Sequence, residues 1–510
     1  MDGQNIDIPD VVEPSMGRPL GRQMASGAAW MVAMQLSVTA LGVGSTMANS
    51  RILAPGDFGL VALATSMIAA LEILTTFRLD VVLIQNRSAT PADYDSAWSL
   101  KLIFATVIGL SVSLAAMPAA RFFNEPRLSA VMLVLAASTV VGGLENIGVV
   151  NFRRDLNFGR EFAYSISRKI ASVCVGVSAA VIFQSYWALV AGLVAGTATG
   201  LVASYLMDPY RPRWSLASAR ALFRFSKWLL VDNAIYFLRH RSANFLIGRI
   251  SGTGALGLFS LAYEVGTLAN ATLAAPIERA LLPGYARMAT GLDTIRAGYL
   301  AVSGLTALLV VPVAAGISAV APVLVPVMLG PKWLTSIALL QVVGVASSIS
   351  LVGFGAASVC LSLGRPRLLV AMSGSYVIVL LTSLALLLPH FGPLGAAWSF
   401  AIAAGTALPV QLLLLRRALG LTLYRWIAEV WRPLAAVVVM HLAVTTLLSG
   451  LAPTESTASH AWRLLAAAAG GALFYVATVM LLWRLTGRPE GAEATVLGYL
   501  GVRNVAAPAR

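Results

Sequence analysis

Long apolar segments recur throughout this sequence, and each is long enough to cross a lipid bilayer. About 20 apolar residues suffice for one helical crossing, and by that measure the sequence predicts fourteen spans. They lie near 26–48, 58–77, 97–117, 128–150, 162–183, 186–207, 226–248, 255–275, 297–321, 335–360, 368–388, 392–415, 431–451 and 462–483. Within lipid, a segment of this length satisfies its own backbone hydrogen bonds only as a helix. We therefore predict an all-α polytopic membrane protein with about 14 transmembrane helices.

Charged residues are few, and they are unevenly distributed. They make up 11% of the chain, against about 25% in soluble domains. The net charge of +14 would suit a nucleic-acid-binding protein, but Lys and Arg crowd alternate connections between the spans. The other connections hold Arg51, Arg121, Arg127, Arg249, Lys332 and Arg463. This positive-inside pattern predicts that both termini are cytoplasmic. It also predicts that anionic membrane lipids, and not nucleic acid, are the partners of the surplus charge.

The spans and connections divide the chain into six predicted segments. These are a cytoplasmic tail (1–25), an N-lobe of six spans (26–207), a basic amphipathic cytoplasmic linker (208–225), a C-lobe of six spans (226–415), a two-span appendix (416–483) and a second cytoplasmic tail (484–510). The first tail lacks the cationic start of a signal peptide, so we expect it to stay attached. Cys174 and Cys360 lie in different spans without metal-ligand spacing, so neither a disulfide nor a metal site is predicted.

The two lobes share a weak internal repeat. A shift of 198 residues places Trp30 on Trp228, Arg51-Ile52 on Arg249-Ile250 and Gly59-Leu60 on Gly257-Leu258. The matched residues occupy the same places in each half: the first span, its outer turn and the start of the next span. Two repeats of six spans in the same orientation are a plan that some transporters use, with the substrate site between the lobes.

The predicted span in 226–250 is unusual because ionisable residues lie near its middle. Each charge at mid-bilayer costs roughly 2.5–3.5 kcal/mol on the mildest scale, so such groups usually face a partner or a wet cavity. At about 100° per residue, one broad face carries Asp232, Asn233, Tyr236, Arg239, His240 and Asn244, whereas Arg241 points away. We interpret this span as a cationic lining for an anionic substrate. The alternative is an internal Asp232–Arg239 pair, with Arg241 serving a neighbouring helix.

The first span carries a polar and small stripe on one face. Gln35, Thr39, Gly42 and Thr46 recur at helical spacing. By the repeat, this span corresponds to the charged one at 226–250, so the stripe is a candidate part of the cavity. Close packing of helices through small and hydroxyl residues explains the same pattern, and both interpretations can hold together.

Three glutamates fall within predicted spans. A carboxyl group desolvated at mid-membrane can bind and release a proton or a sodium ion, and Glu264 is the better candidate for that role. Glu72 lies nearer the cytoplasm, where pairing with Arg78 is the alternative. Glu145 lies close to the inner surface, where we expect it to pair with a basic residue.

Signatures of several enzyme classes are absent from the sequence. Each of the four lysines follows a residue other than glycine, which excludes a Walker A motif and hence ATP hydrolysis by this chain. GxSxG and HExxH do not occur either. Asp93-Tyr94-Asp95 has the DxD form of some glycosyltransferases. We favour a helix start there, because Thr90 and Pro91 supply an N-cap and an N1 proline and Asp93 an acid in the first turn.

Two stretches resemble a known family of transporters. They are RILAPGDFGLVALATSMIAALEILTTFRLDVVLIQN (51–86), followed by TPADYDSAWSLKL (90–102), and FLIGRISGTGALGLFSLAYEV (245–265). The chain is similar there to the Wzx-like polysaccharide transporters of the multidrug/oligosaccharidyl-lipid/polysaccharide flippase superfamily. The similarity extends over roughly 20–420, and the Pro-Gly-Asp-Phe-Gly turn followed by Leu-Ile-Gln is typical of this branch.

The resemblance implies an inverted-V bundle in a bacterial inner membrane that moves undecaprenyl-diphosphate-linked oligosaccharide between leaflets. It implies no cofactor, an H⁺ or Na⁺ gradient as the coupling force, and polymerase or export proteins of the same pathway as partners. In the family, spans 1, 2, 7 and 8 line a cationic cavity. We therefore expect Arg239 and His240 to contact the diphosphate, assisted by Arg241 or Arg78. Many relatives have an acidic residue near position 244, where this chain has Asn244, so Asp232 or Glu264 is expected to serve the coupling ion.

Two alternatives remain open from the sequence. A drug antiporter of the same superfamily would export an organic cation, and it would need an acidic cavity. A polymerase or ligase acting on the same lipid-linked sugars would be expected to have a large outer loop, whereas the predicted outer connections are short.

Overall fold

A computed structural model describes residues 20–72, 83–84, 89–219, 229–287, 291–450, 457–489 and 491–499 of the chain. Within these residues every regular element is helical. The first seven α-helices are α1 (Leu20–Ile52), α2 (Pro55–Glu72), α3 (Pro91–Phe122), α4 (Arg127–Gly143), α5 (Val150–Arg154), α6 (Phe158–Phe183) and α7 (Trp187–Met207). A short 3-10 turn, Ile147–Val149, precedes α5.

The second half of the chain contains several interrupted helices. Its elements are α8 (Leu229–Ile250), α9 (Gly252–Gly266), a π-helical turn (Asn270–Ala274), α10 (Ala275–Arg287), α11 (Leu292–Leu309), α12 (Val311–Ala319), α13 (Ala321–Met328), a 3-10 turn (Pro331–Trp333), α14 (Ser336–Val352), α15 (Ala356–Ser362) and α16 (Pro366–Leu419). Pro312 and Pro322 stand in the first turns of α12 and α13. A proline lacks the N–H that a helix interior requires, so each proline stands where a new helix begins and the preceding one has ended.

The last described helices are two long ones and a short one: α17 (Leu423–Ser449), α18 (Thr457–Leu485) and α19 (Ala492–Tyr499). A buried ion pair attaches α19 to α17. Arg432 Nε donates to Glu493 Oε1 at 2.9 Å, and the two side chains are 5% and 1% exposed. Burial of the pair fixes α19 against α17.

Every predicted span overlaps one of these helices, but the predicted number of crossings stays a prediction. In the described part of the chain, nine helices are long and apolar enough to cross a membrane, or up to ten if a bent pair forms one span. Helix α16 has 54 residues and bends at Gly392, where φ is 58°. That backbone conformation favours glycine, and the bend lies in the short connection predicted between two spans.

The start of α3 confirms the interpretation of Thr90 as a helix cap. The Thr90 N–H donates to Asp93 Oδ2 at 2.8 Å. Asp95 accepts hydrogen bonds from the Tyr210 hydroxyl at 2.5 Å and from the Arg213 N–H at 2.8 Å. Both carboxylates therefore have structural partners. The linker predicted over 208–225 lies partly outside the described residues, and its residues 208–216 have no regular secondary structure.

The two lobes meet closely at one end of the bundle, through α2 and α9. A Cβ added to Gly59 would lie 1.8 Å from the carbonyl oxygen of Thr253, and one added to Gly257 would lie 1.7 Å from that of Pro55. The two contacts are equivalent under the internal repeat, because Gly257 lies 198 residues after Gly59 and Thr253 lies 198 residues after Pro55. The lobes thus cross with their backbones in contact, close to a pseudo-twofold axis.

Candidate functional site

A large cavity penetrates the N-lobe at the end of the bundle where α3 and α6 begin. Its volume is about 1060 Å³. The positive-inside pattern predicts that this end is cytoplasmic. Among the described residues, eight Lys, Arg and Glu side chains line the cavity, five basic and three acidic: Lys101, Arg153, Arg168, Lys169 and Arg241, with Glu72, Glu145 and Glu161. Hydroxyl and amide groups add to its polarity. This is a polar chamber with an excess of basic side chains, enclosed mainly by helices of the N-lobe.

A break in the helical backbone brings Glu145 into this chamber. Helix α4 and the Ile147–Arg154 segment meet at an angle of 70°. Asn146, which is fully buried, stabilises the break: its Nδ2 donates to the carbonyl oxygen of Tyr210 at 2.6 Å, and its Oδ1 accepts from the Gly148 N–H at 2.9 Å. Irregular backbone at membrane depth is tolerated where it lines a cavity, which is its position here.

Glu145 holds two of the basic groups. Lys101 Nζ lies 3.2 Å from its Oε2, and Arg168 Nη1 lies 3.2 Å from its Oε1. Arg168 also donates to the Tyr164 hydroxyl at 3.1 Å. The prediction that Glu145 pairs with a basic residue is confirmed. A second pair, Arg153 with Glu161, lines the same chamber.

Small residues in α7 make room for this network. A Cβ added to Gly200 would lie 2.8 Å from both Arg168 Nε and Glu145 Oε1. A Cβ on Gly192 would lie 2.9 Å from the carbonyl oxygen of Ser172 in α6. Glycines spaced along one face allow two membrane helices to approach closely. Here they bring α6 against α7 and leave space for the Arg168 guanidinium.

The C-lobe contributes one charged residue to the chamber lining, Arg241 of α8. Arg241 interacts electrostatically with Glu72 of α2, so a cation of one lobe faces a carboxylate of the other. Glu264 of α9 is exposed and does not line the chamber, and it interacts electrostatically with Lys169 of α6. Charges from both lobes therefore interact at and beside the cavity.

The structure separates Arg239 and His240 from Arg241. Neither lines the chamber. The Arg239 guanidinium lies 4.3 Å from the ring centroid of Tyr376 in α16, and His240 Nδ1 lies 3.1 Å from the Tyr263 hydroxyl of α9. These contacts tie α8 to other helices of its own lobe. Arg239 and Arg241 are two positions apart on α8, so their side chains point about 200° apart around the helix axis. Arg241 therefore lies on the opposite side of α8 from Arg239, where the chamber is.

The remaining candidate residues lie outside the chamber lining or outside the described side chains. Asn244 is buried and donates to Ser66 Oγ at 2.8 Å, across the two lobes. Gln35 donates to the carbonyl oxygen of Ala271 at 3.3 Å, also between lobes. Thr39 is half-buried beside Val38, which lines the chamber, and Tyr236 is 65% exposed. Arg78 and the side chains of Asp232 and Asn233 lie outside the described part of the structure.

The opposite end of the bundle is closed by contacts between lobes. The Trp333 indole N–H donates to the carbonyl oxygen of Ser50 at 2.9 Å, in a buried position. Lys332 Nζ donates to the carbonyl oxygen of Ile52 at 3.0 Å, and Arg51 Nη2 donates to that of Val327 at 2.7 Å. Phe58 packs edge-to-face on Trp333 with centroids 5.2 Å apart. Among the described residues, these contacts join the two lobes at the end of the bundle opposite to the chamber.

A carboxylate strengthens this closed end. Glu125 accepts from Arg127 at 2.7 and 2.9 Å and from the Thr253 hydroxyl at 3.1 Å. The hydrogen bonds from Arg127 lower the pKa of Glu125 below its usual value. Thr253 belongs to the C-lobe and Glu125 to the N-lobe, so the charged form of Glu125 stabilises their contact.

Sequence reasoning missed most of the chamber's basic residues. Arg168 and Lys169 lie within a predicted span, as does Lys101. An ionisable residue within a span is a candidate functional group in itself, and that signal was available for all three. Arg153 follows the break at the end of α4, and no comparable signal in the sequence marks that break.

Comparisons with known proteins agree with this architecture. Residues 49–338 match the model of a family described as "Polysaccharide biosynthesis protein". The lipopolysaccharide biosynthesis protein WzxC of Escherichia coli K12 is 24% identical over 342 residues, which are 66% of this chain and 69% of WzxC. The succinoglycan biosynthesis transport protein ExoT of Rhizobium meliloti is 22% identical over 286 residues, 56% of this chain and 58% of ExoT.

A solved structure of the lipid II flippase MurJ, in an inward closed conformation, has the same fold. The TM-score is 0.70 at 11% sequence identity, and the match covers 89% of this chain and 99% of MurJ. The predicted all-helical polytopic fold and the resemblance to polysaccharide transporters are thereby confirmed.

Proposed function

Because the chain belongs to this family of polysaccharide biosynthesis proteins, we propose that it is a flippase for lipid-linked oligosaccharide repeat units. The proposed cargo is an undecaprenyl-diphosphate-linked oligosaccharide, moved across a bacterial inner membrane for exopolysaccharide, O-antigen or capsule synthesis. WzxC is named for lipopolysaccharide biosynthesis, ExoT for transport in succinoglycan biosynthesis and MurJ as a flippase, which supports a carrier of this class.

The observation that carries the proposal is the chamber in the N-lobe. A diphosphate is multiply charged and needs cationic, hydrogen-bonding partners when it leaves water. The chamber offers five basic side chains against three acidic ones, in a volume of about 1060 Å³. An organic cation, the cargo of a drug antiporter, would be repelled by this excess. Polar sugar groups would bind among the hydroxyl and amide groups, while the polyprenyl chain stays in lipid.

We assign diphosphate binding to Arg168, Lys101 and Arg241. In the structure their charges face Glu145 and Glu72. A diphosphate entering the chamber competes with these carboxylates for the same cations. Arg241 belongs to the C-lobe, so its attraction to a ligand held by Arg168 and Lys101 draws the lobes together around the cargo. This differential contact is what a ligand needs in order to shift a conformational equilibrium.

Transport then requires the closed end of the bundle to open and the chamber end to close. The lobes are proposed to rock about their contact, as in other transporters built from repeats. Coupling to H⁺ or Na⁺ is assigned to Glu264, whose interaction with Lys169 of the other lobe would change as the lobes move. Asp232 remains a second candidate for this role.

A deletion strain tests the function directly. Without the gene, complete lipid-linked repeat units are expected to accumulate facing the cytoplasm, and the intact gene on a plasmid should restore them to the outer face. The position of the accumulated units is read with a sugar-modifying enzyme that cannot cross the membrane. Accumulation on the outer face would contradict the flippase and favour a polymerase or ligase.

A further inference from the structure

A second, smaller pocket lies at the foot of the C-lobe, remote from the chamber. It has a volume of about 550 Å³ and is formed where the two ends of α16 meet. Helix α16 bends at Gly392, so its first residues and its last residues return to the same end of the bundle. That end is the one the positive-inside pattern predicts to be cytoplasmic.

Three arginines surround this pocket, Arg365 and Arg367 from the start of α16 and Arg417 from its end. All three are exposed, and none forms an ion pair with a carboxylate of the described residues. Among the described residues that line the pocket, none has an acidic side chain. Three uncompensated guanidinium groups therefore converge on one shallow pocket. Guanidinium groups bind phosphate oxygens by charge-assisted, often bidentate, hydrogen bonds.

The floor of the pocket is apolar. Leu368, Leu414 and Ala418 line it between the arginines. The neighbouring residues Val370 and Leu413 are 45% and 58% exposed on the same two helix ends, a position that suits contact with acyl chains in a membrane-spanning helix. The pocket thus has arginines at its rim and an apolar floor that continues onto the lipid-facing surface of the helices. This arrangement matches an amphiphile with an anionic head.

We propose that this pocket binds the headgroup of an anionic phospholipid from the leaflet that faces the chamber's open end. The phosphate is held by Arg365, Arg367 and Arg417, and the glycerol and first acyl carbons contact Leu368, Leu414 and Ala418. A zwitterionic lipid binds less well, because its own cation faces the three guanidinium groups. The bound lipid would fix the hairpin of α16 at the membrane surface, and this proposal does not depend on the transport function.

The test uses the full-length protein, delipidated in detergent and titrated with phosphatidylglycerol or phosphatidylcholine, with bound lipids counted by native mass spectrometry. The unaltered protein is expected to bind phosphatidylglycerol more tightly than phosphatidylcholine. Arg417→Gln should weaken phosphatidylglycerol binding about fivefold, the effect expected for one basic residue near a membrane surface. Arg416→Gln is the matched control, because Arg416 is an adjacent, exposed arginine that does not line the pocket.

Equal weakening in Arg417→Gln and Arg416→Gln, or no preference for phosphatidylglycerol, would overturn the proposal. Two competitors identify the source of the phosphate. Inorganic phosphate is expected to leave the lipid bound, since it cannot contact the apolar floor, and displacement by it would reassign the pocket to a free anion. Displacement by a polyprenyl diphosphate at lower concentration than phosphatidylglycerol would reassign it to the transport substrate.

Discussion

Arg168 is the residue on which most of the chamber's contacts converge. It contacts Glu145 and the Tyr164 hydroxyl, and its guanidinium carbon lies 5.4 Å from the Tyr164 ring centroid. Gly200 leaves the space for it. A side chain that is held by Glu145 and Tyr164, in the space left by Gly200, is oriented before a ligand arrives, which lowers the entropic cost of binding.

Replacing Arg168 with glutamine should reduce transport more than it reduces folding. A hydrogen bond to a charged group contributes about 1.5–3 kcal/mol, so the loss of a diphosphate contact should lower the transport rate by roughly tenfold to hundredfold. Arg168→Lys should recover part of the rate, because it retains the charge. The measurement is the amount of repeat unit that reaches the outer face in the deletion strain carrying each variant.

Arg160→Gln is the control for this substitution. It makes the same charge change on the same helix, at an exposed residue outside the chamber. It is expected to transport at the wild-type rate. Equal loss in both variants would mean that the chamber does not bind the diphosphate through Arg168.

Glu125 gives the closed end a predictable dependence on pH. Because its pKa is lowered in the folded protein, chiefly by hydrogen bonds from Arg127, it stabilises the closed end above its unfolded pKa of about 4.3. That stabilisation is lost as the pH falls through the lowered folded pKa. The free energy of unfolding of wild type should therefore exceed that of Glu125→Gln at neutral pH, and the difference should vanish in acid.

Chemical denaturation of both proteins in the same detergent, at neutral pH and at successively lower pH, measures that difference. Many other groups titrate in acid, but they do so in both proteins and cancel in the comparison. A difference that stays constant over the whole range would show that the charged form of Glu125 does not stabilise the fold.

At the scale of elements, the Pro-Gly-Asp-Phe-Gly motif occupies residues 55–59, and its individual residues explain why α2 begins there. Pro55 starts the helix, Asp57 accepts from the Ala54 N–H at 3.0 Å, and Phe58 packs on Trp333. Gly59 then allows the backbone of α9 to touch α2. Each residue of the motif thus contributes either to the helix start or to the contact between lobes.

Gly59→Ala should open this end of the bundle. The added methyl would overlap the backbone of Thr253, and backbone atoms cannot move away by rotation of a side chain. A methyl on Gly56, in contrast, would lie 3.9 Å from Thr253 Oγ1. Gly56→Ala is therefore the matched control. Opening is measured with Ser50→Cys, at a fully buried position of this interface, in a Cys174→Ser background with a membrane-impermeant maleimide.

The thiol at position 50 should react slowly in the parent and in Gly56→Ala, and faster in Gly59→Ala. The reagent should be effective when added on the side of the membrane opposite to the chamber. If labelling were equal in the two glycine variants, the α2–α9 contact would not be what closes this end.

The sequence predicted elements better than it predicted the side chains that meet in the cavity. Apolar length alone located the helices, and Pro312 and Pro322 stand at the starts of α12 and α13. The break that brings Glu145 into the chamber contains no proline. It is stabilised instead by Asn146, which contacts Tyr210 in a distant segment. For α8, periodicity showed that Arg239 and Arg241 point apart, but which side faced the chamber depended on packing against α2, α9 and α16.

At the scale of the whole molecule, the two lobes share a repeat but only one contains the chamber. The offset of 198 residues places Tyr299 where the N-lobe has Lys101, and Ser303 where it has Ala105. Tyr299 and Ser303 are both fully buried. Aromatic packing, with Trp426 of α17 nearby, occupies the region of the C-lobe that corresponds to the chamber. Equivalent residues of the two repeats therefore close one end of the bundle symmetrically. The binding site is asymmetric because the side chains of the two lobes have diverged.

A covalent bridge across the closed end tests whether the lobes must separate there during transport. Lys332 donates to the carbonyl oxygen of Ile52 at 3.0 Å across the lobes, so cysteines at these two positions should be joined by a short, cleavable cross-linker in a Cys174→Ser background. Bridging is expected to abolish transport, because the cargo can then enter the chamber but cannot leave on the other side. Cleaving the linker should restore transport, and each single-cysteine variant treated with the same reagent should remain active. Undiminished transport by the bridged protein would exclude rocking of the lobes about this contact and would require a path through the N-lobe alone.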